Sequence, residues 1–224
     1  PHLSFTAEEE QMGQEGLEMM GIPADAPFVC FMARDSAYLN SQYPERDWSY
    51  HDLRDASIQN HVPTAEELTR RGYFAIRMGA AVNERLNTDN PMVIDYATDF
   101  RTDFLDMYLG SKCRFLLTTD CGYQNVAQVF RRPIVWTNFP YLEVVHTWLP
   151  NQLFIPKKLW HKAEQRYLTF PEILESKIGR IFKGDKIDEL GIDLIENTPE
   201  DISAVALEMD DRLSGAWQET EEDE

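Results

Sequence analysis

The stretch CRFLLTTDCGYQNVAQVFRRPIVWTN, residues 113–138, holds a short apolar run, a turn, a helical pattern and a second apolar run. Phe115-Leu116-Leu117 is too short and too continuously apolar for an amphipathic helix, so it reads as a strand buried on both faces. Thr118 to Gly122 breaks it. Val126, Ala127, Val129 and Phe130 then recur at helical spacing, and Arg131-Arg132-Pro133 stops the helix before Ile134-Val135-Trp136. In a doubly wound sheet such a turn lies at the carboxyl edge of the strands, where free backbone N–H groups and the positive helix end favour a phosphate. Thr119, Cys121, Gly122 and Tyr123 are therefore candidate anion contacts, unless this is an ordinary strand-to-helix turn in which Gly122 supplies an unusual backbone angle.

Working outward, Phe28-Val29-Cys30-Phe31-Met32 is a second buried strand, and it ends in Ala33-Arg34-Asp35. An arginine at that position either takes two phosphate oxygens in its fork or, paired with Asp35, only caps the following loop. Tyr73-Phe74-Ala75-Ile76 is closed in the same way by Arg77-Met78-Gly79, and Met92-Val93-Ile94 ends in Asp95-Tyr96. Arg34, Arg77, Asp95, Thr118 to Gly122 and Asn138 thus gather where strands end. The order β-α-β-β-α-β-α-β predicts an α/β, Rossmann-like fold with a mostly parallel sheet flanked by helices.

Between the first two strands, Tyr50-His51-Asp52-Leu53-Arg54-Asp55 packs hydrogen-bonding and ionisable groups more densely than a plain connection needs. His51 and Asp52 could serve as base and orienting acid, Arg54 could hold a carboxylate or phosphate, or the group could simply brace the loop. Residues from Ile58 to Arg71 read as a helix with Pro63 in its first turn. Beyond Asn138, the segment from Pro140 to Pro150 is aromatic and irregular; Glu143, its one acid, is a candidate for a ribose or sugar hydroxyl or else a surface carboxylate. Leu153-Phe154-Ile155 before Lys157-Lys158 reads as an edge strand, Phe170 to Ile178 as a short helix, Ile192 to Ile195 as a last strand, and Thr198-Pro199-Glu200-Asp201 as the start of a helix ending before Gly215.

Residues 1–27 form an opening helix, begun by the capping-box pattern Thr6-Ala7-Glu8-Glu9, and a proline-rich linker. Residues 28–217 form the Rossmann-like domain and 218–224 an acidic tail. A chain that opens on proline in this way reads as the later part of a longer protein, or as a processed or trimmed one. The 224 residues carry a net charge of −18, but residues 34–184 hold 18 acids against 19 bases. No basic stripe with interleaved aromatics is present, so nucleic acid is excluded as a partner while a small anion held by local arginines is not. No apolar run approaches the roughly 18 residues of a membrane span. Cys30, Cys113 and Cys121 make neither a disulfide framework nor a zinc spacing, which fits a reducing cytoplasm, with a peripheral position at the inner membrane left open. Neither a P-loop nor GxGxxG occurs.

Four segments resemble a family of bacterial glycosyltransferases associated with surface polysaccharides: Phe28 to Asp35 with nearby Tyr38-Leu39, Trp48 to Asp55, Ile76-Arg77-Met78-Gly79, and Asp103 to Leu109 with the strand and turn that follow. The resemblance spans roughly residues 5–215. It implies one half of a GT-B enzyme, the domain that binds the nucleotide-sugar, with an N-terminal domain or a homodimer partner completing the site. On that resemblance, Arg34 and the turn at 119–123 are similar to the way such enzymes hold a donor diphosphate, with Cys121-Gly122 where serine-glycine is usual. The implied activity is sugar transfer from a nucleotide-diphosphate donor to a glycan or lipid-linked acceptor. Arg34 and Arg77 would neutralise the leaving group, His51 or Asp52 would be the base, and Tyr50, Arg54, Asp95, Asn138 and Glu143 would contact nucleotide or sugar. No DxD pair is present and no cofactor or metal is expected. The alternatives are a nucleotide-sugar epimerase or hydrolase on the same fold, or a non-catalytic binding module.

Overall fold

The computed structural model describes residues 3–145 and 149–219. The tip of the expected acidic tail, 220–224, and residues 146–148 of the aromatic connection lie outside them.

Thr6 caps α1 (Ala7–Met19) through the reciprocal box its sequence predicts, with the Glu9 amide donating to Thr6 Oγ1 and the Thr6 amide to Glu9 Oε2. β1 (Phe28–Met32) follows, then α2 (Ala37–Gln42). The polar segment Ser49–Arg54 is a 3-10 helix, a second one covers Ile58–His61, and α3 (Val62–Arg70) starts with Pro63 in its first turn. β2 (Phe74–Arg77), β3 (Val93–Ile94), α4 (Tyr96–Asp99), α5 (Asp103–Lys112) and β4 (Leu116–Thr118) lead to α6 (Gln124–Val129) and β5 (Ile134–Phe139), the unit read from residues 113–138. β6 (Gln152–Pro156) is the sheet's last strand. A smaller antiparallel sheet, unforeseen in the sequence, pairs β7 (Lys158–His161) with β8 (Arg166–Tyr167) and, beyond α7 (Phe170–Ser176) and α8 (Gly184–Glu189), with β9 (Ile192–Ile195). α9 (Pro199–Ser214) closes the fold and stops at Gly215, whose φ of 77° a glycine adopts without penalty.

The large sheet has the order β3-β2-β1-β4-β5-β6, and every pairing in it is parallel. Side chains alternate across β1. Cys30 joins Leu17, Leu109 and Ala127 on the face covered by α1, α5 and α6, whereas Val29 and Phe31 join Leu68, Ile202 and Ala206 on the face covered by α3 and α9. The opening helix is thus part of the packed core. It approaches α5 so closely that a Cβ added at Gly13 would stand 2.2 Å from the Tyr108 ring. In this order the chain leaves β1 toward β2 and β3, then returns to the other side of β1 as β4. The crevice outside the carboxyl ends of β1 and β4 is the topological switch point, where open α/β sheets bind ligands.

Candidate functional site

Arg34 stands at that switch point. Its backbone is fixed between the two strands: its amide donates to Thr119 Oγ1 at 2.8 Å, and its carbonyl accepts from the Ala56 amide at 3.1 Å. The side chain is 7% exposed, ion-paired with Asp55, and donates from Nη1 to the His51 carbonyl at 3.2 Å. Nη2 is buried with no protein partner. A guanidinium N–H held out of water without an acceptor is costly, and an anion is the kind of group that would satisfy it. Arg54 lies close enough to depress the Arg34 pKa through its charge, after the larger effect of burial. Arg54 itself pairs with Asp120 at 3.7 Å and leaves a buried Nε without a partner.

Two clefts meet at Arg54. The first, of about 450 Å³, runs over Arg34, Leu39, Gly79, Val82 and Gly122. The second, of about 430 Å³, is walled by Tyr50, His51, Tyr141, Phe182 and Lys183. A wider groove of about 830 Å³ shares no lining residue with either, runs along β6 and the small sheet, and is lined largely by apolar side chains such as Leu153, Ile155, Leu159 and Val205. Among the described residues that line it, one polar atom, Trp217 Nε1, is buried without a partner, whereas the residues lining the other two clefts carry three, Arg34 Nη2, Arg54 Nε and His51 Nδ1.

His51 packs against Trp48, at 6.0 Å and 16° between ring planes, and against Tyr50, at 3.9 Å and 38°. Burial first, then the charges of Arg54 and Arg34, pull its pKa down to about 4. It is neutral at neutral pH, with Nδ1 buried and unpartnered. The dyad expected with Asp52 does not form, because adjacent residues of the 3-10 turn diverge and the Asp52 side chain points to solvent.

The turn corrects a second expectation. Thr119 is fully buried, and its hydroxyl is taken by the Arg34 amide rather than offered to a ligand. The Cys121 amide donates to Gln124 Oε1 at 3.2 Å, and the buried Cys121 thiol, whose pKa burial raises, lies 3.4 Å from Thr118 Oγ1. The Cys121 amide therefore turns inward, and α6 is only six residues long. Tyr123 borders the first cleft, but its hydroxyl donates to the Asp106 carbonyl at 2.8 Å and holds α6 on α5. Gly122 is exposed and borders the cleft; its φ lies outside the left-handed region and a Cβ there would meet nothing within 4 Å. Its smallness keeps the cleft open and is not needed for an unusual backbone angle.

Four more expected contacts make bonds within the fold, although Asn138 Nδ2 and Glu143 Oε1 stay buried without a partner among the described residues. Arg77, 1% exposed, donates to Asp95 Oδ1 and to the Glu84 carbonyl, both at 2.9 Å, and Asp95 Oδ2 accepts from the Leu86 amide at 3.1 Å. The two presumptive ligand contacts neutralise each other. Asn138, at φ 53° in the register shift of β5 against β6, exchanges bonds with Asn197: its amide donates to Asn197 Oδ1 and its Oδ1 accepts from the Asn197 amide. Glu143 is ion-paired with Arg180 and pins the 3-10 turn Ile178–Arg180.

Sequence reasoning missed Tyr141, Phe182 and Lys183, which reach the second cleft from segments after β5 and before α8. It also passed over Lys157, buried at the end of β6 with Nζ donating to the Asp55 carbonyl at 2.6 Å. The signal for Lys157 was present, since a cation closing a strand is the pattern that singled out Arg34.

No family model matches the chain, and no curated protein matches it. Among solved structures it is similar to the glycosyl transferase family 9 structure from Veillonella parvula DSM 2008, with a TM-score of 0.55 and 13% identity over 93% of this chain and 53% of that one. It also matches the E. coli ADP-heptose LPS heptosyltransferase II, with a TM-score of 0.44 and 13% identity over 85% and 53% of the two chains. This chain spans about half the length of both. The first likeness shows the fold: the expected Rossmann-like α/β architecture, similar to one half of a GT-B glycosyltransferase, is the one observed.

Proposed function

We propose that this chain is the donor-binding half of a glycosyltransferase that moves a sugar from a nucleoside-diphosphate sugar to a glycan or lipid-linked acceptor. The observation that carries the reading is the buried, unpartnered Nη2 of Arg34 at the switch point, with Arg54 beside it. Two cations held together with unused N–H groups are relieved by a diphosphate. In glycosyl transfer the bond from the anomeric carbon to the diphosphate oxygen breaks, charge develops on that oxygen, and preorganised guanidinium donors stabilise it. His51, neutral with a pKa of about 4, is a poor proton acceptor near neutrality and acts here as a hydrogen-bonding wall. The acceptor's proton is then taken by a group outside the residues assembled at this edge, which agrees with a chain half as long as its structural neighbours.

Calorimetric titration with UDP, GDP, CDP, dTDP and ADP tests this. One diphosphate binds, and Arg34→Ala, checked as folded by circular dichroism, weakens it by a factor of about 10 to 100, the worth of a hydrogen bond to a charged group. Unchanged affinity in the folded variant removes Arg34 from the role.

A further inference from the structure

Apart from Arg54, which borders both clefts, the second cleft is walled by groups that the donor diphosphate does not need. We propose that it seats a sugar ring bearing a carboxylate or phosphate, an acidic residue of the acceptor glycan. Its role as an acceptor seat rests on the donor reading above; its chemistry as a binding site does not.

Two buried nitrogens without partners, His51 Nδ1 and Arg54 Nε, belong to residues that border this one cleft. A neutral imidazole nitrogen can donate to or accept from a sugar hydroxyl according to its tautomer, whereas the guanidinium N–H only donates. At the rim, the exposed Lys183 side chain has neither an ion pair nor a hydrogen bond among the described residues. The lining carboxylate, Asp120, is already paired with Arg54. The balance of Arg54, Lys183 and Asp120 is one positive charge, so the complementary ligand is an anion.

The aromatic walls select the ligand's shape. Tyr141 and Phe182 stand 4.6 Å apart with their planes at 47°, and Phe139 meets Tyr141 at 82°. These rings form no parallel slot of the kind that grips a flat base on both faces. They offer separate faces, and Phe182 is 53% exposed. The apolar C–H face of a pyranose packs on such a ring while its hydroxyls stay free for His51 and Arg54. Because Arg54 borders both clefts, a ring seated here adjoins a diphosphate held by Arg34 without displacing it.

Saturation-transfer NMR on the whole chain tests the proposal with glucuronate, glucose 6-phosphate, glucose and inorganic phosphate. Both acidic sugars are expected to show ring-proton transfer, with glucose much weaker and inorganic phosphate unable to displace them at equal concentration. Lys183→Gln should weaken the acidic sugars by about tenfold. Phe182→Ala should weaken them similarly, and both variants should leave the affinity of the nucleoside diphosphate unchanged. Equal binding of glucose and the acidic sugars, or binding of none, overturns the proposal, as does equal competition by phosphate. Weakened diphosphate binding in both variants, with sugars unaffected, would place the nucleoside in this cleft instead. Should no nucleoside diphosphate bind wild type while acidic sugars do, the donor reading fails and the sugar site stands. Lys183 is exposed, so its variant keeps the test valid even if Phe182→Ala unfolds.

Discussion

The ends of β1 and β2 begin alike and finish differently. Each is a buried strand closed by an arginine, Arg34 or Arg77, at the carboxyl edge of one parallel sheet. Arg77 meets Asp95 and the Glu84 carbonyl and is closed off from solvent, whereas Arg34 meets Asp55 and the His51 carbonyl with Nη2 left over. The histidines divide similarly. Both are held neutral with pKa values near 4, yet His61 has Ser57 and Thr137 on its two nitrogens and His51 has an idle Nδ1. Residue type alone therefore does not decide whether the fold uses up a polar group at a sheet edge; the partners it meets there do.

Breaking the closed side should cost the most stability. Arg77→Leu leaves the Asp95 carboxylate beside a buried apolar side chain, and about 3–5 kcal/mol is expected to be lost in urea unfolding. Adding Asp95→Asn should return part of it, and diphosphate affinity should stay unchanged in whatever remains folded. If Arg77→Leu abolishes binding without lowering stability, the distinction between the two strand ends is wrong.

His61 gives the next largest effect. Its folded pKa lies below the unfolded value near 6.5, so between about pH 6.5 and 4 the unfolded state binds more protons and stability falls as the pH falls. The stabilisation is fully present above that window, and its loss approaches about 3 kcal/mol at the acid end. His61→Gln should flatten the dependence of the urea midpoint over this range. The half-exposed His51 contributes in the same direction but less, because solvent screens it.

The sequence made the sheet legible for a local reason. Strand length, helical spacing and breakers such as Arg131-Arg132-Pro133 act within a few residues of one another, and the 113–138 unit appears as read. The Arg77–Asp95 pair spans 18 positions and Asn138–Asn197 spans 59, and such partnerships depend on which strands lie side by side. The inward amide of Cys121 was hidden for another reason: the Gln124 side chain competed for it. The second cleft as a whole was invisible because Tyr50, Tyr141 and Lys183 come from three separate segments, and of these only Tyr50 to Asp55 stood out as a cluster in the sequence.

On the open side, Arg34→Lys keeps the charge but not the fork. The ammonium cannot reach Asp55, the His51 carbonyl and a phosphate together, so affinity for the diphosphate should drop about tenfold with a small change in stability. Arg34→Lys with full affinity would show that charge alone suffices there.

Two glycines of the first cleft carry the contrast to its smallest scale. A Cβ at Gly79, at the end of β2, would stand 2.7 Å from Val82 Cγ1, and the loop there is held by Asp35, whose Oδ2 accepts from the Asn83 amide at 2.9 Å. Gly79→Ala must push that loop outward and should cost about 1–3 kcal/mol, the usual range for overpacking. A Cβ at Gly122 meets nothing, and Gly122→Ala should change stability by less than about 0.5 kcal/mol. Gly122→Leu should fold as well as Gly122→Ala yet weaken the diphosphate, because its side chain would project into space the ligand uses. If Gly122→Leu binds as tightly as wild type, the ligand does not pass over this turn, and the first cleft loses its claim to the diphosphate whatever Arg34 does.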